Sequence, residues 1–360
     1  MSISTISFNN ASRAQIMRVQ SELADALVES TTNRHADVGQ TLGRLTGNAV
    51  SFRSQETSLD RLLQSNQLVT QRLTLMEDTL ETVAKSAEGL QNQLITGLSN
   101  ADFLTSAKQV SRDALDQLAG ALNLSVSGQY LFAGTHTDLK PLNGYEAPGA
   151  NGAPSPSATA RTHFDTFLGV IGKTEATVSG EELAAYFNDG ELDAADGTPI
   201  AFEAFDELFA NAAWENTFSQ ASSTPIQSRI SKSETISSSV SANEQAFRDL
   251  TAGYIMLDLA SSAMGDGARA ALAQAAQGKI GAGFAGVTAL RSELGNRIAR
   301  VETADASLKQ QKDIVASSLA SLEEVDLVEA SQRVAALQTQ LEASYRVTGM
   351  IREINILDYL

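Results

Sequence analysis

The sequence contains no cysteine. That excludes disulfide staples, thiolate nucleophiles and cysteine-ligated metals, and it leaves the redox compartment open. Histidine is nearly as scarce. His35, His136 and His163 each lack a second histidine or a set of carboxylates at ligand spacing, so no metal is expected. All six prolines (Pro141, Pro148, Pro154, Pro156, Pro199, Pro225) and the single tryptophan, Trp214, are confined to residues 141–225. No apolar run approaches the roughly 18 residues of a membrane span, and the start, Met1 to Asn10, has neither the basic nor the apolar region of a secretion signal. Neither membrane insertion nor a cleaved leader is expected. Basic charge is in deficit: Lys and Arg number 26 against 43 for Asp and Glu, a net charge of -17, so nucleic acid would be repelled.

What remains is a chain of 360 residues, long enough for two or three structural units. Because proline breaks helix interiors, two proline-free flanks around a proline-bearing centre predict helical arms with a separate middle module. Aromatic residues agree, since twelve of them lie between Tyr130 and Phe218. In the first arm Leu59, Leu62, Asn66, Val69, Leu73, Met76, Leu80, Val83, Ala87, Leu90, Leu94 and Gly97 alternate three and four apart. Such spacing keeps one apolar seam on a partner helix under left-handed supercoiling. A second run, Leu104, Ala107, Leu115, Leu118 and Leu122, packs back on it, and Ser127-Gly128 marks its end.

The C-terminal arm repeats the pattern with Val287, Leu290, Leu294, Arg297, Val301, Ala304, Leu308, Gln311 and Val315. Glu323-Glu324-Val325-Asp326 interrupts it, and a new register follows through Leu327, Ala330, Val334, Leu337, Leu341, Ser344, Thr348 and Ile351. Ile16, Val19, Leu23, Ala26 and Ser30 give a matching stripe at the other end, so the two termini can pair. Polar or small seam residues such as Asn66, Arg297, Gln311 and Ser344 make these pairs weaker than a Leu/Ile zipper.

The middle is read as an α+β or mainly β module, with strand-like Phe167–Ile171 and Thr235–Val240 and short helices at Glu181–Phe187 and Ala201–Phe209. A further helix is expected after Ser241-Ala-Asn-Glu244 through a capping box, running to about Met264. The glycine-rich Gly278–Gly286 follows a helical run rather than a strand, so it reads as a connector or kink rather than a phosphate loop. Carboxylate groups at Glu181-Glu182, Asp193/Asp196 and Glu203/Asp206/Glu207 read as solvated surface acids, and His163 as a partly packed histidine. No catalytic residue, no cofactor and no enzymatic activity are expected. Apolar groups do run to the last residue, which calls for burial by something, most simply by neighbouring copies. Ile16, Val19, Leu23, Leu27, Leu337, Leu341, Tyr345, Ile351, Ile354, Leu357, Tyr359 and Leu360 are the candidate subunit-interface residues.

The tail from Ala336-Leu-Gln-Thr-Gln-Leu-Glu-Ala-Ser-Tyr345 through Ile356-Leu-Asp-Tyr-Leu360 resembles the end of flagellins and flagellin-like hook-associated proteins, and the stretch to about residue 62 is compatible with their start. Gly128-Gln-Tyr-Leu-Phe-Ala-Gly-Thr-His-Thr137, followed by Pro141-Leu142, resembles the motif that closes the second helix in the hook–filament junction members of that family, carried here by Tyr130, Leu131, Phe132, Ala133 and Gly134. Filament flagellins generally lack it. The turn at Leu42-Gly-Arg-Leu-Thr-Gly47 is recognisable, but Asn-Ala-Val-Ser-Phe-Arg replaces the acidic run that normally follows.

The resemblance implies a mainly α, flagellin-like antiparallel helical bundle or coiled coil formed by both chain ends, with a smaller β-rich (α+β) inserted outer domain. Residues 1–45 with 327–360 would form the terminal layer, 46–137 with 239–326 the rod, and 138–238 the insert. It further implies an extracellular structural subunit of the flagellum, exported through the type III pathway without cleavage. Its partners would be its own copies, the hook-side junction protein, flagellin and an export chaperone. Two other readings fit the heptads equally: flagellin itself, and an adhesin whose middle module binds a ligand on a coiled-coil stalk.

Overall fold

The computed structural model describes residues 2–97, 103–149, 153–188, 190–193 and 197–353. It is mainly helical, and it divides into two compact units, residues 1–63 with 306–360 and residues 64–305.

In the first unit, helices α1 (Ser2–Thr32) and α10 (Leu327–Glu353) run antiparallel. Val19, Ala26 and Leu337 form their buried seam, flanked by Leu23, Val334 and Leu341. Polar pairs tie the margins: the Ser12 and Thr348 hydroxyls at 3.0 Å, and the Gln20 amide donating to the Tyr345 hydroxyl at 2.7 Å. The chain then bends on both sides. Asn33 adopts φ 57°, a left-handed conformation that asparagine tolerates, and Asp37 caps α2 (Val38–Leu42) by accepting from the Gln40 amide.

The opposite bend is the break expected at residues 323–326. The two loops join as a short bridge, with the His35 amide donating to the Glu323 carbonyl at 3.0 Å and the Val325 amide to Asn33. Glu323 is 1% exposed and lies 2.8 Å from Arg53 and 3.7 Å from Arg34, so the buried carboxylate is compensated by two cations. Asp326 restarts the helix, accepting from the Val328 amide at 2.8 Å and the Glu329 amide at 3.3 Å. Asp326→Ala removes that cap and should cost about 1 kcal/mol, read as an earlier loss of α10 helicity in thermal circular dichroism. Beyond the bend, α3 (Thr46–Gly97) and α9 (Asp266–Glu323) pack through Leu59, Leu308 and Val315, with Lys312 2.6 Å from Asp60.

In the second unit the α3 seam is buried from Val69 to Leu94. It shares a core with α4 (Phe103–Leu122), α8 (Gln245–Asp258) and the first part of α9. Asn66, polar and wholly buried, donates to the Ile230 carbonyl at 2.9 Å and to Asp305 at 2.6 Å, which sets the register of α3 against α9. The glycine-rich 278–286 stretch is neither connector nor kink; it is helical throughout, inside α9. A Cβ at Gly283 would stand 2.6 Å from Leu250, and one at Gly286 2.7 Å from Ala246, so these glycines let α8 approach α9 backbone to backbone. Glycine costs about 1 kcal/mol in a helix interior, and close packing offsets it here.

Other local expectations are corrected. Ser127-Gly128 does not end α4, which stops at Leu122. Both residues have positive φ, 53° and 80°, and make the two-residue turn between β1 (Ser125–Val126) and β2 (Gln129–Tyr130), as the mirror-image turns of tight hairpins require. Phe167–Ile171 is not a strand. It is the end of α5 (Pro156–Val170), started by the Ser155 side chain accepting from the Ala158 amide and by Pro156 in the first turn. Phe164, Phe167 and Leu168 are buried at helical spacing.

The helix at Glu181–Phe187 is present as α6 (Gly180–Asn188). Residues 201–209 are instead divided. They include the end of β4 (Pro199–Ala201), which pairs with β3 (Glu191–Asp193), and a 3-10 turn at Phe205–Phe209 that leads to α7 (Asn211–Thr217). Thr235–Val240 supplies β6 (Thr235–Ser237), paired with β5 (Gln227–Arg229). The capping box at Ser241 does not form. The Ser241 hydroxyl donates to the Ser222 carbonyl at 2.8 Å, Glu244 occupies the cap position without a side-chain bond, and α8 ends at Asp258 rather than near Met264. The aromatic residues form a continuous core, including stacked Phe167 on Tyr186 at 4.3 Å and Trp214 on Phe218 at 5.0 Å.

Candidate assembly interface

Pairing α1 with α10 uses up one face of each helix. Val19, Leu23, Leu337 and Leu341, expected at a subunit interface, are spent within the chain, and Ile16 is half-buried. Leu27 and Tyr345 are exposed. Ile351 lies in the last turn of α10, and Ile354, Leu357, Tyr359 and Leu360 lie outside the described residues.

The outward face is itself apolar. Met17 is 60% exposed, Val328 66% and Met350 59%, and Val28 and Val347 are also exposed, as are Val50 of α3 and Ile314 of α9 in the same unit. Most of the exposed large apolar side chains among the described residues belong to this first unit. Met17 and Val28 share a face of α1, because their separation is close to three helical turns. Single exposed apolar groups are ordinary, but a concentration on one helical pair marks a surface awaiting a partner. Heptad reading missed these residues because they fall between seam positions, where an apolar residue reads as noise.

The Tyr130–Gly134 segment is an internal staple. The Tyr130 amide donates to the Thr137 carbonyl at 2.8 Å and the Leu131 amide to the Leu124 carbonyl at 3.0 Å, closing the loop after α4. Phe132 is wholly buried, edge-on to Phe247 of α8 at 6.3 Å, and its carbonyl accepts from the Ala242 amide at 2.8 Å. Ala133 accepts from the Ser222 amide at 2.9 Å, and Gly134 (φ 59°) passes so close to residues 222–224 that a Cβ would meet the Ser222 carbonyl oxygen at 2.1 Å. Behind this staple Asn243 is fully bonded: its Oδ1 accepts from Trp214 Nε1 and the Ser219 hydroxyl, and its amide donates to the Ala221 carbonyl and the Ser223 hydroxyl. The motif thus joins α4, the segments at 222–224 and 241–242, and α8 itself into one body.

Of the groups weighed for chemistry, Asp196 lies outside the described residues. Asp206 pairs with Lys279 at 2.5 Å, and Glu182 caps its own helix by accepting from the Ser179 amide. No group of three or more histidines and carboxylates that could hold a metal occurs among the described residues. No described helix is long and apolar enough to cross a membrane. His163 Nδ1 is 2.7 Å from the Tyr186 hydroxyl, and Nε2 lies 3.6 Å from Glu203. Burial outweighs the attraction of Glu203 and Glu207 and lowers the His163 pKa. Since the folded state prefers the neutral ring, its contribution is present above the unfolded value of about 6.5 and is lost as pH falls through it. The melting temperature should therefore drop less between pH 7.5 and pH 5 (on the order of a few degrees) in His163→Gln than in the wild type.

The family models for the flagellin N-terminal helical region and the flagellin C-terminal helical region match residues 3–137 and 278–360. No curated protein sequence matches the chain. Among solved structures, the chain is similar to a putative flagellar hook-associated protein from Vibrio parahaemolyticus, with 13% identity, a TM-score of 0.51, and coverage of 78% of this chain and 97% of that one. At that identity the likeness is one of fold.

Proposed function

From the premise that this chain belongs to the flagellin-like family and is a structural protein of the flagellum, we propose that it joins hook to filament as a hook–filament junction subunit. The observation that carries the finer reading is the Tyr130–Gly134 staple, which resembles the junction members and not the filament subunits. The physics of the first unit supports it. An antiparallel terminal pair with an apolar outer face gains its remaining burial only when neighbours cover it, so order and assembly are coupled. The chain would leave the cell unfolded through the type III pathway without cleavage, held by an export chaperone. It would then stack on the hook-side junction protein and present its own copies to flagellin. Its work is mechanical, with no cofactor.

The test is electron microscopy of a deletion strain: hooks without filaments, with flagellin lost to the medium, is the expected result, and normal filaments would exclude the role. A filament-subunit reading is favoured by the two flagellin models at the chain ends. Stoichiometry separates the two, since a junction needs about one helical turn of copies and a filament needs thousands.

A further inference from the structure

Among the described residues the half-buried arginines are, with one exception, provided for. Arg112 meets Asp258 at 2.5 Å, Arg291 meets Glu77 at 2.7 Å and Arg297 meets Glu293 at 2.5 Å. Arg248, buried with Glu215, Glu244 and Asp249 acting on it from beyond ion-pair range, donates from Nε to the Asn243 carbonyl at 2.9 Å and from Nη1 to the Phe209 carbonyl and Asn211, and lies over the Trp214 ring.

Arg72 on α3 is the exception. Its one hydrogen bond is long, 3.4 Å from Nη2 to the Tyr130 carbonyl, and its buried Nε has no acceptor among the described residues. No carboxylate among the described residues acts on it; burial pulls its pKa down, yet an arginine stays charged at neutral pH. A desolvated guanidinium with unfilled donors is costly in a monomer and valuable where an anion arrives. The group lines a pocket of about 340 Å³ between α3 and the β1–β2 hairpin, walled by Leu75, Val126 and Leu131. At its rim stands Leu68, 69% exposed, the most exposed large apolar side chain among the described residues. The combination suits an acidic side chain with an apolar neighbour.

We infer that this pocket receives an acidic side chain from a neighbouring copy of this chain, making Arg72 a lateral assembly contact at the base of the Tyr130–Gly134 staple. The inference rests on the reading of the chain as a self-assembling flagellar subunit. Charge selects the occupant: each copy carries a net charge of -17, so copies packed side by side repel unless their scarce cations meet acids across the contact. Arg72, half-buried and with no ion-pair partner among the described residues, is a cation available for this.

The test uses the full chain in flagellated cells. A photo-crosslinking residue in place of Leu68 should trap a second copy of the chain through a peptide containing Asp or Glu; crosslinks only to other proteins, or none in assembled organelles, overturn the inference. Arg72→Leu, which removes an uncompensated buried charge, should leave the melting temperature of the purified chain unchanged or raise it. It should also cut the copies retained on sheared organelles about tenfold or more, with Arg72→Lys between. Retention equal to the wild type, or a loss matched by a fall in melting temperature, counts against it. Absence of the wild-type chain from the organelle fails the flagellar reading itself and takes this inference with it, whereas normal wild-type retention with an indifferent Arg72→Leu fails only the pocket.

Discussion

Gly134→Ala should destabilise the 64–305 unit by about 3–4 kcal/mol, the largest effect expected of any single methyl group in this protein. A non-glycine residue at φ 59° costs about 1–2 kcal/mol. The added Cβ would also stand 2.1 Å from the Ser222 carbonyl oxygen and 2.8 Å from that of Thr224, and both are backbone atoms that no rotamer change can move aside. Relief requires pulling residues 222–224 away, which breaks the bonds from Ser222 to Ala133 and from Thr135 to Thr224, each worth about 1 kcal/mol. Denaturant unfolding measures it. A loss under about 1 kcal/mol would show that the 222–224 segment relaxes freely and that the staple is not rigid. The same substitution at Gly278 makes the contrast: nothing lies within 4 Å of its Cβ, so alanine in that helix interior should gain about 1 kcal/mol.

The second large effect concerns assembly. Replacing Met17, Val328 and Met350 together by glutamate should abolish incorporation into the organelle while the 64–305 unit melts as before. Fully burying one such side chain is worth about 1.5–3 kcal/mol, and three lost together weaken association by more than about three orders of magnitude. Glutamate is a good helix former, so the helices themselves survive. Added charge is controlled by Gln332→Glu with Gln338→Glu, two exposed polar positions of α10 that should assemble normally. If the triple variant appears on sheared organelles at wild-type levels, the outward face of the terminal pair is not the assembly surface.

Much of the helical framework is legible from spacing. Leu73, Met76, Leu80, Leu294, Val301 and Leu308 are all buried, as their seam positions require. The break at 323–326 falls between α9 and α10, because an acidic run ending in Asp326 both interrupts the seam and caps the next helix. Short-range signals fared worse wherever a distant neighbour competed for the same atoms. The Ser241 hydroxyl accepts from the Asn243 amide and donates to the Ser222 carbonyl rather than capping α8, and glycines 283 and 286 are helical where Leu250 and Ala246 pack close. Ser127-Gly128 reads equally as a helix stop or a hairpin turn, and the pairing of Ser125 with Tyr130 decides.

The candidate interface divides in the same way. Residue spacing identified Val19, Leu23, Leu337 and Leu341 as wanting cover, but a seam does not state which chain supplies it. Here α1 and α10 of one molecule cover each other, and Met17, Val328 and Met350 are left exposed.

By itself, then, the sequence determined that both ends are helices, where their seams run, where they break, and that the chain ends resemble flagellins. Periodicity and proline placement are local, and local patterns survive into the fold because each apolar stripe must be buried by something. Only the tertiary structure decided what buries each stripe, which apolar residues are left outside, and that Arg72 Nε has no acceptor among the described residues. Those outcomes depend on contacts between residues far apart in the chain, where several partners satisfy one pattern equally and packing selects among them.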